Sequence, residues 1–169
     1  MEPEIIFKFD GGTVTLPSQL LNSREDGGHL LVNPPRAVWE RSELSAVELT
    51  LWSFLVAATG RAMLDTLPQL SGGCINYWEA GNWALHHNAA PSGPKHPQTH
   101  RRVHLHVLGR NPLSRHPDWQ WGESPRFPDH ANAKKWAAAF TRLDNAECSA
   151  VTRRIGELLA QKYGVARSW

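Results

Sequence analysis

Three side chains that can meet an anion recur at every second position of one stretch. Arg102, His104 and His106 are separated by single aliphatic residues. Because successive side chains of a β-strand point to opposite faces, this pattern predicts a strand with one aliphatic face and one polar face. A row of cationic or titratable groups repels itself unless it meets an anion, so we expect a negatively charged ligand. His100 and Gln98 join the row if the chain is already extended there.

Composition limits what kind of protein this is. The chain has 169 residues, 41% of them hydrophobic and 20% charged, with a net charge of +2. These values are typical of one globular domain over residues 1–169. A net charge this small does not predict a broad surface for nucleic acid or an electrostatic attraction to a membrane. Any recognition of an anion therefore has to come from a local group of residues.

Cysteine use and the chain's beginning indicate a compartment. Cys74 and Cys148 have neither the number nor the spacing of a disulfide framework, which favours a reducing environment. The first residues lack the basic-then-apolar pattern of a signal peptide, and no apolar run is long enough for a membrane span. We therefore expect a cytoplasmic protein.

The order of predicted elements indicates an α+β fold, with a mostly antiparallel sheet and helices packed on one face. Residues 1–110 supply the sheet, a long helix that begins after Ser45, and the histidine strand. Residues 111–169 supply a loop rich in Pro and Trp and two C-terminal helices, one from about 132 to 143 and one after Asp144. The predicted strands are 5–9, 13–16, 29–33, 74–78 and 101–110.

Three pieces of the sequence match one family in order. The run from His104 to Gly109 resembles the last two-thirds of the motif His-φ-His-φ-His-φ-φ, where φ is hydrophobic. Gln98-Thr99 resembles the Gln-Ser/Thr step before that motif, and the run from His29 to Pro34 resembles an upstream His-φ-φ-φ-x-Pro strand. Together they resemble the histidine triad (HIT) superfamily of nucleotide-binding hydrolases and transferases.

The resemblance implies a role for each matched residue. His104 would attack the α-phosphorus of a nucleotide and become a transient nucleotidyl-imidazole. His106 would donate to a phosphate oxygen, and His29 would orient or polarise the pair. The substrate would be a nucleotide conjugate or a dinucleoside polyphosphate, with no cofactor and no metal. Small members of the family also pair as homodimers.

Substrate binding is the second role that the resemblance implies. Gln98, Thr99, Arg102 and His100 would hold the phosphate and the leaving group. Asn76 lies where many members have an Asn-x-Gly and would also contact the ligand.

The chain departs from the family pattern at the first triad histidine, which is Arg102 here. Arginine stays charged and cannot act as a general acid. We therefore expect nucleotides that leave as phosphates to react better than those that leave as alkyl amines, unless His100 stands in. The acidic residue that grips the ribose has no clear counterpart, and Asn22, Glu25 and Asp26 are the candidates.

Two other classes of function stay open on the sequence. An incomplete triad also suits a nucleotide-binding protein with little turnover. A metal-dependent hydrolase could use His100, His104 and His106 with a loop histidine, although no carboxylate or cysteine has a suitable spacing to complete the site. Metal analysis would separate this last class from the other two.

Overall fold

A five-stranded antiparallel sheet organises the computed structural model, which describes residues 3–165. Its order is β1-β2-β3-β5-β4, and each neighbouring pair is antiparallel. The α+β class and the antiparallel sheet predicted from the sequence are confirmed. The strands are β1 (Glu4–Phe9), β2 (Gly12–Leu16), β3 (His29–Asn33), β4 (Cys74–Ala80) and β5 (His104–Arg110).

Two long helices cover one face of the sheet. These are α1 (Ala46–Thr66) and α4 (Asn145–Gln161), and both begin with a capping box. In α1, Ser45 Oγ accepts from the Glu48 amide at 3.2 Å while the Ser45 amide donates to Glu48 Oε2 at 2.8 Å. The helix is long and apolar enough to cross a membrane, but it packs between the sheet and α4 as a core helix does.

The aliphatic face of β5 lies in the core that these helices close. Leu105 and Val107 are buried with Leu30 and Val32 of β3 and with Leu55 of α1. Because side chains alternate along a strand, this burial turns His104 and His106 to the opposite face.

That opposite face is covered by the C-terminal part of the chain. Trp119 is 1% exposed and packs on Leu21 and on Leu108 of β5. Trp136, in the short helix α3 (Ala133–Ala138), packs against the same cluster and donates from Nε1 to the Leu21 carbonyl at 3.2 Å. α3, one of the two C-terminal helices, therefore lies on the histidine face of the sheet.

The predicted helix over 132–143 is shorter than the pattern suggests. It has six residues, and the chain after it makes backbone pairs with the loop before β3 instead. The Arg24 amide donates to the Thr141 carbonyl at 2.7 Å, and the Thr141 amide donates to Ser23 Oγ at 3.1 Å. These contacts replace the hydrogen bonds that would continue the helix.

A buried arginine ties the segment after β5 to the sheet. Arg110 is 5% exposed and donates to the carbonyls of Gln120 at 2.8 Å and Glu123 at 3.0 Å. Its guanidinium carbon also lies 5.4 Å from the centre of the Trp119 ring. Arg110 of β5 thus anchors the loop that covers the histidine face to the sheet.

We predict that this cover depends on Trp119 and not on its neighbour Trp121. Replacing the buried Trp119 with Ala leaves a cavity and should lower the free energy of unfolding by about 3–5 kcal/mol. Trp121 is 46% exposed, so Trp121→Ala is the matched control and should change stability by less than about 0.5 kcal/mol. Urea unfolding checks both variants, and equal effects would contradict the assignment of Trp119 to the core.

Candidate active site

His104 and His106 face the same side of β5, as the alternation predicts. In the sheet His104 lies opposite Ala80 of β4, and His106 lies between Trp78 of β4 and Leu31 of β3. The centres of the two imidazole rings are 4.9 Å apart. A single ligand atom can therefore be reached by both rings.

The backbone fixes which nitrogen of His104 is free. Its Nδ1 lies 2.9 Å from the carbonyl oxygen of Arg102. A carbonyl only accepts, so Nδ1 carries the proton and Nε2 carries the lone pair. A neutral imidazole in this tautomer presents a nucleophilic nitrogen to the space in front of the strand.

A second chain of hydrogen bonds fixes His29 and His106. The Leu21 amide donates to His29 Nδ1 at 3.1 Å, and His29 Nε2 lies 2.9 Å from His106 Nδ1. Since an amide can only donate, the proton of neutral His29 is on Nε2, and His29 donates to His106. His106 in turn carries its proton on Nε2, where it can donate to a ligand.

Burial keeps these three imidazoles neutral. Loss of water around His106 lowers its pKa from 6.5 to about 3, with a smaller contribution from His104. Burial likewise holds the pKa of His29 well below its usual value, and the two neighbouring histidines lower it further. For His104, burial lowers the pKa and the hydrogen bond to the Arg102 carbonyl opposes that shift.

A cavity of ≈ 560 Å³ opens in front of this pair. That volume lies in the range of small-molecule sites. Its walls are mostly apolar, from Leu31, Trp78 and Trp83, and its floor is formed by His104 and His106. The Trp78 ring lies 5.1 Å from the His106 ring and stacks on Phe127 at 4.4 Å, which keeps water from that side of His106.

The segment before β5 differs from the prediction. The strand begins at His104, and residues 97–100 form the helical turn α2 (Pro97–His100) in place of an extended chain. The Arg102 guanidinium donates to the carbonyls of Gln98 at 3.4 Å, Thr99 at 3.1 Å and Arg101 at 2.6 Å. It thereby satisfies carbonyls at the end of the turn that the helix leaves unpaired.

The turn separates the expected ligand-binding residues. His100 and Arg102 line the cavity, whereas Gln98 and Thr99 are exposed and do not. Thr99 Oγ1 lies 3.0 Å from the His96 carbonyl within its own turn. Asn76 also lies outside the cavity. It is two residues before Trp78 on β4, and its Oδ1 lies 3.5 Å from Arg110 Nη1.

The three residues considered as ribose-binding candidates also lie outside the cavity. Asn22 is fully buried and donates to the Gly109 carbonyl at 2.8 Å. Asp26 accepts from Ser114 at 2.6 Å, and Glu25 accepts from Ser23. None of the three is among the residues that line the cavity.

The loop histidines lie outside the cavity, and the described residues form no metal site. His86, His87 and His96 are exposed and do not line the cavity, and the His86 ring stacks on His130 at 4.1 Å. Over residues 3–165, no group of three or more His, Cys, Asp or Glu side chains is arranged to hold a metal ion.

The sequence did not predict the main-chain groups that fix the histidine tautomers, or the close approach of Gly81 to one of them. The Leu21 amide and the Arg102 carbonyl are backbone atoms, which carry no sequence signal. Gly81 had a signal, because a glycine just after a strand indicates either a turn or a close approach of backbone. Its φ is +138°, and an added Cβ would lie 3.0 Å from the Arg102 carbonyl oxygen.

Comparisons with known proteins gave likenesses of fold. No protein-family model matches the chain, and no curated protein matches it. Three solved structures of histidine triad proteins are similar, at low sequence identity. The one from Sinorhizobium meliloti 1021 has a TM-score of 0.45 and 20% identity, and covers 81% of this chain and 86% of that chain.

The other two cover more of the chain. The protein from Bradyrhizobium japonicum has a TM-score of 0.48 and 17% identity, over 91% of each chain. A hypothetical histidine triad nucleotide-binding protein from Sulfolobus tokodaii strain 7 has a TM-score of 0.49 and 15% identity, over 100% of this chain and 93% of that one. All three belong to the family that the motif on β5 resembles.

The buried histidine pair makes a prediction about pH. The folded protein holds the pKa of His106 near 3 and that of His29 well below 6.5, so below about pH 6.5 the unfolded chain binds more protons. Stability should therefore be retained above pH 6.5 and fall as the pH drops towards 3, by about 1.4 kcal/mol per pH unit for each histidine.

Chemical denaturation at a series of pH values checks this slope. His106→Gln should reduce the slope, whereas His87→Gln, at an exposed loop position, should leave it as in the parent. A parent whose stability is flat between pH 6.5 and 4 would show that the pair is not held neutral.

Proposed function

We propose that this chain is a nucleotide-binding protein of the histidine triad type that cleaves its ligand at the α-phosphate through a nucleotidyl-histidine intermediate. The substrate is a nucleotide conjugate or a dinucleoside polyphosphate, and the acceptor is water or a second molecule. On the family resemblance we also propose a homodimer, and on the use of cysteine we propose a cytoplasmic location. No cofactor enters the proposed reaction.

The observation that carries this proposal is the state of His104. Its proton is held on Nδ1 by the Arg102 carbonyl, so the Nε2 lone pair is available in the cavity. Burial lowers the pKa of His104, so the ring is neutral near pH 7. Attack by this lone pair on phosphorus forms an N–P bond and releases the leaving group. Hydrolysis of that bond then frees the nucleotide.

His106 is placed to stabilise the charge that develops in this step. Its Nε2–H donates towards a phosphate oxygen, because Nδ1 is occupied by His29. A donor fixed before the reaction needs no reorganisation when negative charge accumulates. His29 does not line the cavity and acts through His106. It is a positioning residue.

The cavity suits a nucleotide because both apolar and polar side chains line it. Leu31, Trp78 and Trp83 can contact a base or nucleoside, and His104 and His106 can contact the phosphate. Arg102 lies at the rim. Its guanidinium donates to backbone carbonyls, but its positive charge remains and attracts an anion.

We predict that His104→Ala abolishes turnover and leaves nucleotide binding measurable, because the attacking atom is lost while His106 and the apolar wall remain. A screen of adenylyl and guanylyl phosphoramidates and dinucleoside polyphosphates identifies a substrate first. Mass spectrometry of the acid-quenched parent should then find a nucleotidyl group on His104.

His87→Gln is the control, since His87 is exposed and outside the cavity, and it should retain parent kinetics. Near-full activity of His104→Ala would rule out the mechanism. Tight binding of nucleotides by the parent without any turnover across the screen would favour the second candidate, a binding protein, which the replacement of the first triad histidine by Arg102 supports.

We predict that Gly81→Ala lowers activity although Gly81 carries no side chain. The new Cβ would lie 3.0 Å from the Arg102 carbonyl oxygen that orients His104, and small misplacements of a reacting group cost up to about 10²-fold. Gly93→Ala is a matched control, because Gly93 has a φ of +111° with nothing within 4 Å of its added Cβ. Steady-state kinetics should show a larger loss of kcat/KM for Gly81→Ala, and equal losses would contradict the prediction.

A further inference from the structure

The proposed reaction needs a proton that most of the cavity cannot supply. When the bond from the α-phosphorus to the leaving atom breaks, a poor leaving group such as an alkyl amine must be protonated. Among the described residues that line the cavity, the titratable side chains are Glu79, His100, Arg102, His104 and His106.

Four of these five are committed elsewhere. His104 supplies the attacking lone pair on Nε2, and Arg102 stays charged at any ordinary pH. Glu79 is paired with Arg41, and its other oxygen lies 3.9 Å from Arg101. Both of its carboxylate oxygens are therefore engaged by arginine side chains.

His106 cannot replace a proton that it gives away. Its pKa is about 3, so near pH 7 it has a single ring proton, the one that it offers as a hydrogen bond. Behind it the chain of hydrogen bonds runs through His29 to the Leu21 amide. A backbone amide does not give up its proton, so no group in this series of hydrogen bonds can reprotonate His106. His106 can stabilise charge but cannot act as an acid.

His100 is the group that remains, and its geometry suits proton transfer. Its side chain lines the cavity, and its Nδ1 lies 2.7 Å from Thr99 Oγ1 and 3.2 Å from the His96 carbonyl. Because that carbonyl can only accept, Nδ1 keeps a proton, and Nε2 is the nitrogen that gains and loses one.

Arg102 holds this histidine at the rim. Its guanidinium donates to the carbonyls of Gln98, Thr99 and Arg101, the residues that flank His100. The element packed against the turn is the 3₁₀ turn Asn82–Leu85, which has no titratable side chain. The charged or titratable side chains that line the cavity together with His100 are Glu79, Arg102, His104 and His106.

We propose that His100 is the general acid and base of the reaction, and that Arg102 is the positioning residue that braces it. As the His104 Nε2–P bond forms, the bond to the leaving atom breaks and that atom takes the proton from His100 Nε2. In the second step water attacks phosphorus, its proton passes to His100 Nε2, and the His104 Nε2–P bond breaks. The inference rests on the proposed function and names a residue outside the triad pattern.

The test compares two leaving groups on one nucleotide. A nucleoside alkylamine phosphoramidate needs protonation on leaving, and the corresponding p-nitrophenyl ester does not. His100→Gln should lower the ratio of kcat/KM for the amine over the ester by about 10²- to 10⁴-fold. The pH profile of amine turnover should also change in shape for His100→Gln, because the acid that protonates the leaving atom is lost. His87→Gln should leave both the ratio and the pH profile unchanged.

Arg102→Met tests whether Arg102 positions His100, because the effects of the two substitutions on the amine-to-ester ratio should then not add. Alone it should lower the same ratio, and added to His100→Gln it should lower the ratio no further, because residues that act as a unit do not add. A fully additive double variant would overturn the positioning role of Arg102.

Failure of the inference is distinguishable from failure of the proposed function. If the p-nitrophenyl ester labels His104 in both parent and His100→Gln but the ratio does not change, the role of His100 is overturned and the function stands. If neither substrate labels His104 in the parent, the proposed function fails, and the role of His100 falls with it.

Discussion

The site depends on one backbone hydrogen bond, from the Leu21 amide to His29 Nδ1. An amide has a proton to give and no lone pair to offer, so it decides the tautomer of His29, and through His29 that of His106. Just before β5, a main-chain acceptor, the Arg102 carbonyl, decides the tautomer of His104. One main-chain donor and one main-chain acceptor thus place His104 and His106 in opposite tautomers. His104 offers a lone pair on Nε2, and His106 beside it offers an N–H on Nε2.

This arrangement is maintained only where water is excluded. The sheet has two covered faces, and α1 and α4 close the aliphatic one. The histidine face is closed by the segment after β5, whose Trp119 and Phe127 pack with Trp78 beside His106. Burial lowers the pKa of His106 to about 3, and an imidazole that stays neutral keeps its lone pair for His29. The segment after β5 therefore helps to lower the pKa of His106 by excluding water from one side of its ring.

The strands and long helices could be predicted because hydrophobic period and capping residues are local. Alternation around His104 and His106 gave their shared face, and the boxes at Ser45 and Asp144 gave the starts of α1 and α4. The turn Pro97–His100 could not be read from that alternation, because its conformation is stabilised by the Arg102 side chain folding back on carbonyls. The position of Asn76, outside the cavity and beside the buried Arg110, likewise has no local signal. Long-range contacts of this kind leave no periodic signal.

The central claim is that main-chain groups fix all three imidazoles as neutral tautomers, with His29 and His106 protonated on Nε2 and His104 on Nδ1. Nitrogen-15 NMR of the histidine rings at pH 7 tests it directly, with His29, His104 and His106 assigned by single His→Gln variants. We expect a proton on Nδ1 and a free Nε2 for His104, and a proton on Nε2 with a free Nδ1 for His29 and His106. A doubly protonated His106, or a His104 protonated on Nε2, would contradict the account.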